Sequence, residues 1–232
     1  MDKQNPYAAP QIIDITAPGA AWAADESPGL RKTSLGLTLV YYGIIGVLVF
    51  SLGTAVAVSL MPGFVLLCSI GAGFGVLLTV VGPLFCLAVP RQTGARRFIV
   101  ASVVCQLPSV AHSMVSAVTD VPLALTYATL LAGLVATVLF VLFMKKLAEY
   151  IGRRDLAKKA KNILILGGVL VVLVVLLNFL TSEVNESTQA GVLPGWFGPG
   201  FMIVIAIVAI TALLSFVMYA NLVNWLRKAL HP

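Results

Sequence analysis

The chain has 232 residues, of which 59% are hydrophobic and 10% are charged, and its net charge is +6. Soluble domains carry roughly 25% charged residues, so this composition and a mean hydropathy of +1.01 exclude an ordinary water-soluble globular protein. About 20 apolar residues in a helix cross the roughly 30 Å hydrocarbon core of a bilayer. We therefore expect an all-α integral membrane protein. Its basic excess is expected to set membrane orientation and not to bind nucleic acid.

Residues 1–33 are predicted to form a disordered cytoplasmic tail, because prolines interrupt them and no hydrophobic period is sustained. The tail contains Asn5-Pro6-Tyr7-Ala8-Ala9-Pro10. With the layout that follows, this motif resembles a group of uncharacterised bacterial multi-pass membrane proteins that carry an Asn-Pro-Tyr-x-x-Pro tail before the first span. The resemblance implies a bacterial inner-membrane protein and carries no activity with it. The motif itself could be a proline-containing turn in a flexible tail, which we favour, or a docking motif.

Six apolar stretches follow, separated by turn signals and charged loops. They cover residues 34–60, 64–89, 98–119, 123–144, 163–180 and 199–226. Each is long enough to span a bilayer. The sequence therefore predicts a transmembrane domain of six helices over 34–226, built as three helical hairpins, and a cytoplasmic C-terminal tail over 227–232.

The basic residues indicate the orientation of these spans. With both termini in the cytoplasm, every Lys and Arg falls in a cytoplasmic segment, while the outer loops hold only Asp120, Glu183 and Glu186. Clustered Lys and Arg stay on the cytoplasmic side of a membrane, so this distribution favours six spans with both termini inside.

The densest basic segment is 145–161. Its basic residues are Lys145, Lys146, Arg153, Arg154, Lys158, Lys159 and Lys161. We expect the fourth span to continue as a helix to Tyr150, Gly152 to act as a hinge, and Glu149 to pair with Arg153. The basic side chains could contact anionic lipid headgroups or only enforce topology, and both readings stay open.

A polar stripe lies along the third span at helical spacings of three and four residues. Its members are Ser102, Cys105, Ser109, His112, Ser116 and Thr119. Such a face should look into the bundle. It could line a polar pathway or ligand pocket with His112 as proton acceptor or metal ligand, or it could pack against a neighbouring helix through its small residues and hydroxyls.

Two further stripes of small residues predict close helix packing. The first span carries Gly36, Gly43, Gly46 and Gly53, and the fourth carries Ala124, Ala128, Ala132 and Ala136. These surfaces favour a compact bundle, with one face possible for a second copy of the chain or another membrane protein.

The sequence offers little support for catalysis. No Asp, Glu, Lys or Arg lies in the middle of a predicted span, and the chain has no Gly-x-Ser-x-Gly, His-Glu-x-x-His or Cys-x-x-Cys motif. We therefore expect no enzyme, no metal site and no cofactor. The leading hypothesis is a scaffold or accessory subunit that works through helix–helix contacts, with membrane lipids around it. The alternative is a channel or facilitator for a small neutral solute, lined by the stripe of the third span.

Overall fold

The computed structural model describes residues 28–116, 119, 122–189 and 197–230. This part of the chain is all-helical and contains no strand. Its long helices are α1 (Pro28–Leu60), α2 (Val65–Cys86), α3 (Arg96–Val115), α4 (Leu123–Tyr150), α5 (Arg154–Gln189) and α6 (Phe197–Ala229). Short 3₁₀ turns at Pro62–Phe64 and Arg91–Thr93 connect the first three helices. A helix bonds its own backbone polar groups, which is what an apolar solvent requires.

Five of these helices are long and apolar enough to cross a membrane, judged by length and composition. The spans are Pro28–Val58, Val65–Cys86, Ala124–Tyr150, Arg154–Leu177 and Met202–Ala229. Helix α3, which carries the polar stripe, is not among them. The all-helical, multi-pass character is thus supported for five helices, and the sixth span stays a proposal.

Helix α1 begins earlier than the sequence pattern indicated. The predicted tail 1–33 is wrong for 28–33, which are helical, while residues 1–27 lie outside the described part of the chain. Proline is well suited to a helix start, because the first amides have no helical acceptor. Leu30 and Thr33 are then buried, and the Cys86 thiol lies 3.8 Å from the Thr33 carbonyl oxygen. This contact with α2 holds the first turns in the bundle.

The helices pack as three hairpins, α1 with α2, α3 with α4, and α5 with α6. Further contacts join α1 to α6 and α4 to α5. The fully buried side chains concentrate at the end that carries the basic loops. They include Leu37, Ile99, Phe143, Met144, Leu147, Leu156, Leu222 and Leu226. In α5 and α6, the described residues 164–177 and 202–219 contain no buried side chain.

The contact between α1 and α2 depends on glycine. A Cβ on Gly43 would lie 2.8 Å from the Gly75 carbonyl oxygen and 2.8 Å from the Thr79 amide nitrogen. A Cβ on Gly36 would lie 2.6 Å from the Gly82 carbonyl oxygen. Real Cβ atoms are not found that close to backbone, so the two helices approach as only glycine permits. Three glycines of the α1 stripe, Gly36, Gly43 and Gly46, therefore face glycines of α2, whereas Gly53 lies against the Cys68 side chain.

The turn between α4 and α5 closes at Gly152, whose φ is +75°. The Arg153 amide donates to the Ala148 carbonyl at 2.9 Å, and the Gly152 amide donates to the Glu149 carbonyl at 3.1 Å. These two bonds form a Schellman motif, which requires the left-handed conformation that glycine adopts easily. Helix α4 ends at Tyr150, and Gly152 reverses the chain direction.

Candidate functional site

The part of the polar stripe nearer the basic loops packs against α4. The Ser102 hydroxyl donates to the Ala136 carbonyl at 2.7 Å, and the Ser109 hydroxyl donates to the Thr129 carbonyl at 2.9 Å. Ser102 is 2% exposed, so burial forces its hydroxyl to find an acceptor. These bonds fix the distance between α3 and α4.

The part of the stripe toward the C-terminal end of α3 is more exposed. The His112 Nε2 lies 3.2 Å from the Thr126 hydroxyl oxygen of α4, and both side chains are partly buried. Ser116 and Thr119 are exposed. The stripe therefore changes along its length from buried packing to an accessible surface, with His112 at the boundary and bonded to α4.

The α4 face that receives the stripe differs from the predicted alanine stripe. Ala136 is 5% exposed and Ala132 is half-buried, but Ala124 and Ala128 are exposed. Ala124 and Ala128 therefore do not pack closely within the described chain, and their contact with a second chain stays a prediction. The contacting residues of α4 are Thr126, Thr129, Gly133 and Ala136. Their spacings of three, four and three residues match those of the α3 stripe, so a comparison of the two patterns would have found them.

A cavity of about 280 Å³ lies between α1, α2, α3, α4 and α6. Its polar lining comes from Thr79, Ser102, Gln106, Ser109, Thr137 and Tyr219. Apolar side chains such as Val40, Ile44 and Phe140 complete the wall. Among the described residues, no charged side chain lines it, so the cavity suits water or a small uncharged molecule. Sequence inspection missed Gln106 and Tyr219, because neither lies on the polar stripe.

Several hydroxyls around this cavity are already used as donors. Thr79 donates to the Val76 carbonyl, and Thr137 donates to the Gly133 carbonyl within its own helix. Ser102 and Ser109 donate to α4, as described above. A hydroxyl that donates once still has acceptor capacity. The Thr79, Ser102 and Thr137 hydroxyls therefore retain acceptor capacity for a guest molecule.

The basic residues of 145–161 do not form a uniform surface. Glu149 accepts from Lys146 at 2.7 Å and lies 3.8 Å from Lys145. Arg153 pairs with Asp155 at 3.1 Å. The predicted pairing of Glu149 with Arg153 is therefore wrong. Because the helix ends at Tyr150, the turn at Gly152 takes Arg153 off the helical face of Glu149.

The remaining basic residues of this segment lie on α5. The side chains of Arg154, Lys158 and Lys161 are exposed at spacings of four and three residues, which places them on one helical face. The Lys159 ammonium instead lies 3.5 Å from the centroid of the Trp225 ring on α6. This cation–π contact fastens α5 to α6 at the basic end. Three of the seven predicted headgroup contacts thus form a basic face that makes no ion pair with the described residues.

Helix α6 is also fastened to α1 at this end. The Arg227 guanidinium lies 4.8 Å from the Tyr41 ring centroid and 5.5 Å from the Tyr42 ring centroid. It also donates to the Asn224 side-chain oxygen at 3.0 Å. Together with the Lys159–Trp225 contact, these interactions join the first, fifth and sixth helices where the basic loops meet.

Within the described residues, no group of three or more His, Cys, Asp or Glu side chains is close enough to hold a metal ion. The cysteines Cys68, Cys86 and Cys105 are free thiols. Compared with known proteins, the chain matches no protein-family model, no curated protein and no solved structure.

Proposed function

We propose that this protein is a six-span membrane scaffold or accessory subunit that binds a second copy of itself or another membrane protein through its helices. The observation that carries this proposal is the use of the polar stripe. The Ser102 and Ser109 hydroxyls both donate hydrogen bonds to backbone carbonyls of α4. The hydroxyls of the polar stripe thus stabilise the packing of the α3–α4 hairpin.

The uneven packing of the bundle supports the same proposal. Its buried core lies at the basic end, while α5 and α6 present apolar side chains such as Val172, Val175 and Ile203 at 58%, 62% and 60% exposure. Apolar surface of this extent suits lipid tails or a partner helix, since both are equally apolar. We place both termini and the basic end in the cytoplasm, at a bacterial inner membrane, because clustered Lys and Arg stay inside.

A second candidate function is a channel or facilitator for a small neutral solute. The cavity between five helices favours it, because its lining combines hydroxyl, amide and phenol groups without charge. A volume of about 280 Å³ corresponds to roughly nine water molecules at about 30 Å³ each. A solute of comparable size would fit.

Thiol accessibility distinguishes the two functions. In a variant with Cys68, Cys86 and Cys105 replaced by alanine, single cysteines are placed at Ser109 and Ser116. A facilitator requires both to react with a membrane-impermeant thiol reagent in intact cells or oriented vesicles. A scaffold predicts protection at Ser109, where the hydroxyl is hydrogen-bonded to α4.

The matched control is Val104→Cys on the same helix, at 59% exposure, where helical spacing puts it on a different face from Ser102 and Ser109. A lipid-facing cysteine should not react with a polar reagent, so labelling at this position would show a loosened bundle. Reaction at Ser109 with protection at Val104 would contradict the scaffold and support the facilitator.

The scaffold also predicts the state of the purified protein. Purified from membranes in mild detergent, it should retain a second copy of itself or a co-purifying membrane protein. His112→Ala should change stability by only about 0.5–1.5 kcal/mol, the usual value of one hydrogen bond. A monomeric protein that binds a small solute saturably would contradict this function.

A further inference from the structure

Three arginines and an apolar groove lie together where α2 passes into α3. The groove has a volume of about 790 Å³ and is lined by Arg91, Arg96, Arg97, Val100, Ala101 and Val104. It belongs to neither the polar stripe nor the 145–161 segment. We propose that it binds the headgroup and one acyl chain of an anionic phospholipid.

The local fold presents these side chains outward. Ala95 and Ile99 are 0% exposed and anchor the first turns of α3 in the bundle. Arg97, Val100 and Val104 follow at spacings of three and four residues, so they share the opposite face. Val100 and Val104 are 42% and 59% exposed.

The turn before α3 is held by its own hydrogen bonds. The Thr93 hydroxyl donates to the Pro90 carbonyl at 2.8 Å and accepts from the Ala95 amide at 3.1 Å. Gly94 has φ +62° and its amide donates to the Arg91 carbonyl at 3.2 Å. Arg91 is therefore held close to the first turn of α3, beside Arg96 and Arg97.

The positive charge of this cluster is not compensated by the described residues. None of the three arginines forms an ion pair there, whereas Lys145, Lys146 and Arg153 do. The first turn of α3 contains no acidic residue. The aligned backbone dipoles add further positive potential at this end of a helix. An anion in the groove would relieve this accumulation.

The shape of the site identifies the anion as a lipid. Arginine guanidinium groups bind phosphate oxygens through paired hydrogen bonds. From Arg97 to Val104 the apolar face rises about 10 Å along the helix, at about 1.5 Å per residue, and Leu107 continues it at 59% exposure. An acyl chain needs such a surface directly beyond the headgroup, and free phosphate does not.

The test uses the purified full-length protein in phosphatidylcholine nanodiscs that contain increasing fractions of phosphatidylglycerol. Native mass spectrometry counts retained phosphatidylglycerol molecules. We expect one saturable site, and a loss of about a hundredfold in affinity when Arg91, Arg96 and Arg97 are all replaced by glutamine. If the triple variant unfolds, Arg97→Gln alone replaces it, because this position is exposed, and it should also weaken phosphatidylglycerol binding.

The matched control replaces Arg154, Lys158 and Lys161 on α5 by glutamine, which removes the same charge from the same end of the bundle. It should keep the saturable site. Equal losses in the two triple variants would overturn the proposal, because they would show a diffuse attraction of the basic surface for anionic lipid.

A second arm separates the lipid from free phosphate. Val100→Trp with Val104→Trp fills the groove without changing charge, and it should lower phosphatidylglycerol retention. Inorganic phosphate should not displace the lipid at equal concentration. Unchanged retention in the tryptophan variant, or displacement by phosphate, would refute an acyl-chain groove.

Discussion

The contact between α1 and α2 allows a sharp test with Gly43→Ala. The new Cβ would lie 2.8 Å from the Gly75 carbonyl oxygen, the Thr79 amide nitrogen and the Thr79 Cγ2. Two of these three atoms belong to the backbone of α2, so the helices must move apart. Overpacking of this kind costs about 1–3 kcal/mol. This cost is partly offset by a gain of about 1 kcal/mol in the free energy of unfolding, because alanine is a better helix former than glycine.

Gly46→Ala is the matched control, since it carries the same chemistry three residues further along α1. Its Cβ would meet only the Gly75 Cα, at an ordinary contact distance of 3.5 Å. The helix-propensity gain cancels between the two variants. We therefore expect Gly43→Ala to be less stable than Gly46→Ala by about 1–3 kcal/mol.

The assay is equilibrium unfolding of the full-length protein in mixed micelles with increasing dodecyl sulfate, followed by tryptophan fluorescence. Gly46→Ala should unfold at the same or a higher dodecyl sulfate fraction than the original chain, and Gly43→Ala at a lower one. Equal midpoints for the two variants would refute the glycine-dependent approach of α1 and α2.

Other substitutions test separate contacts in the same assay. Ser34 is buried and its hydroxyl has no partner among the described residues, so Ser34→Ala should stabilise the protein by about 1 kcal/mol or leave it unchanged. Ser102→Ala removes the hydrogen bond of 2.7 Å to the Ala136 carbonyl and should destabilise the protein by about 0.5–1.5 kcal/mol. If Ser34→Ala and Ser102→Ala changed stability in the same direction, this account of the two hydroxyls would be wrong. Gly152→Ala should cost about 1–2 kcal/mol, because φ is +75° there; an unchanged midpoint would argue against the Schellman turn. Lys159→Gln should lose about 0.5–2 kcal/mol with the Trp225 contact, and the loss should disappear when Trp225 is already leucine.

Individual residues show which structural features can be predicted from the sequence. The end of α4 and the turn at Gly152 follow from local chemistry, because helix continuation and a left-handed glycine depend on neighbours in the chain. The ion-pair partners of Glu149 could not be predicted from the neighbouring sequence. A carboxylate has several cations within reach, and which one it meets depends on where the helix stops. Likewise, the periodicity of Ser102 and Ser109 marks a face without naming the helix that covers it.

The sequence by itself determined the all-helical class, the approximate positions of the helices and the grouping of basic residues into a few segments. These features depend on hydropathy and spacing, which are local along the chain. The tertiary structure decided the rest. It set Gly43 against Gly75, placed Ala124 and Ala128 on an exposed face, and formed a cavity with Gln106 and Tyr219 in its wall. The physical reason is that apolar helices in lipid gain little from burying any particular face, so close approach and hydrogen bonding between specific partners decide which faces meet.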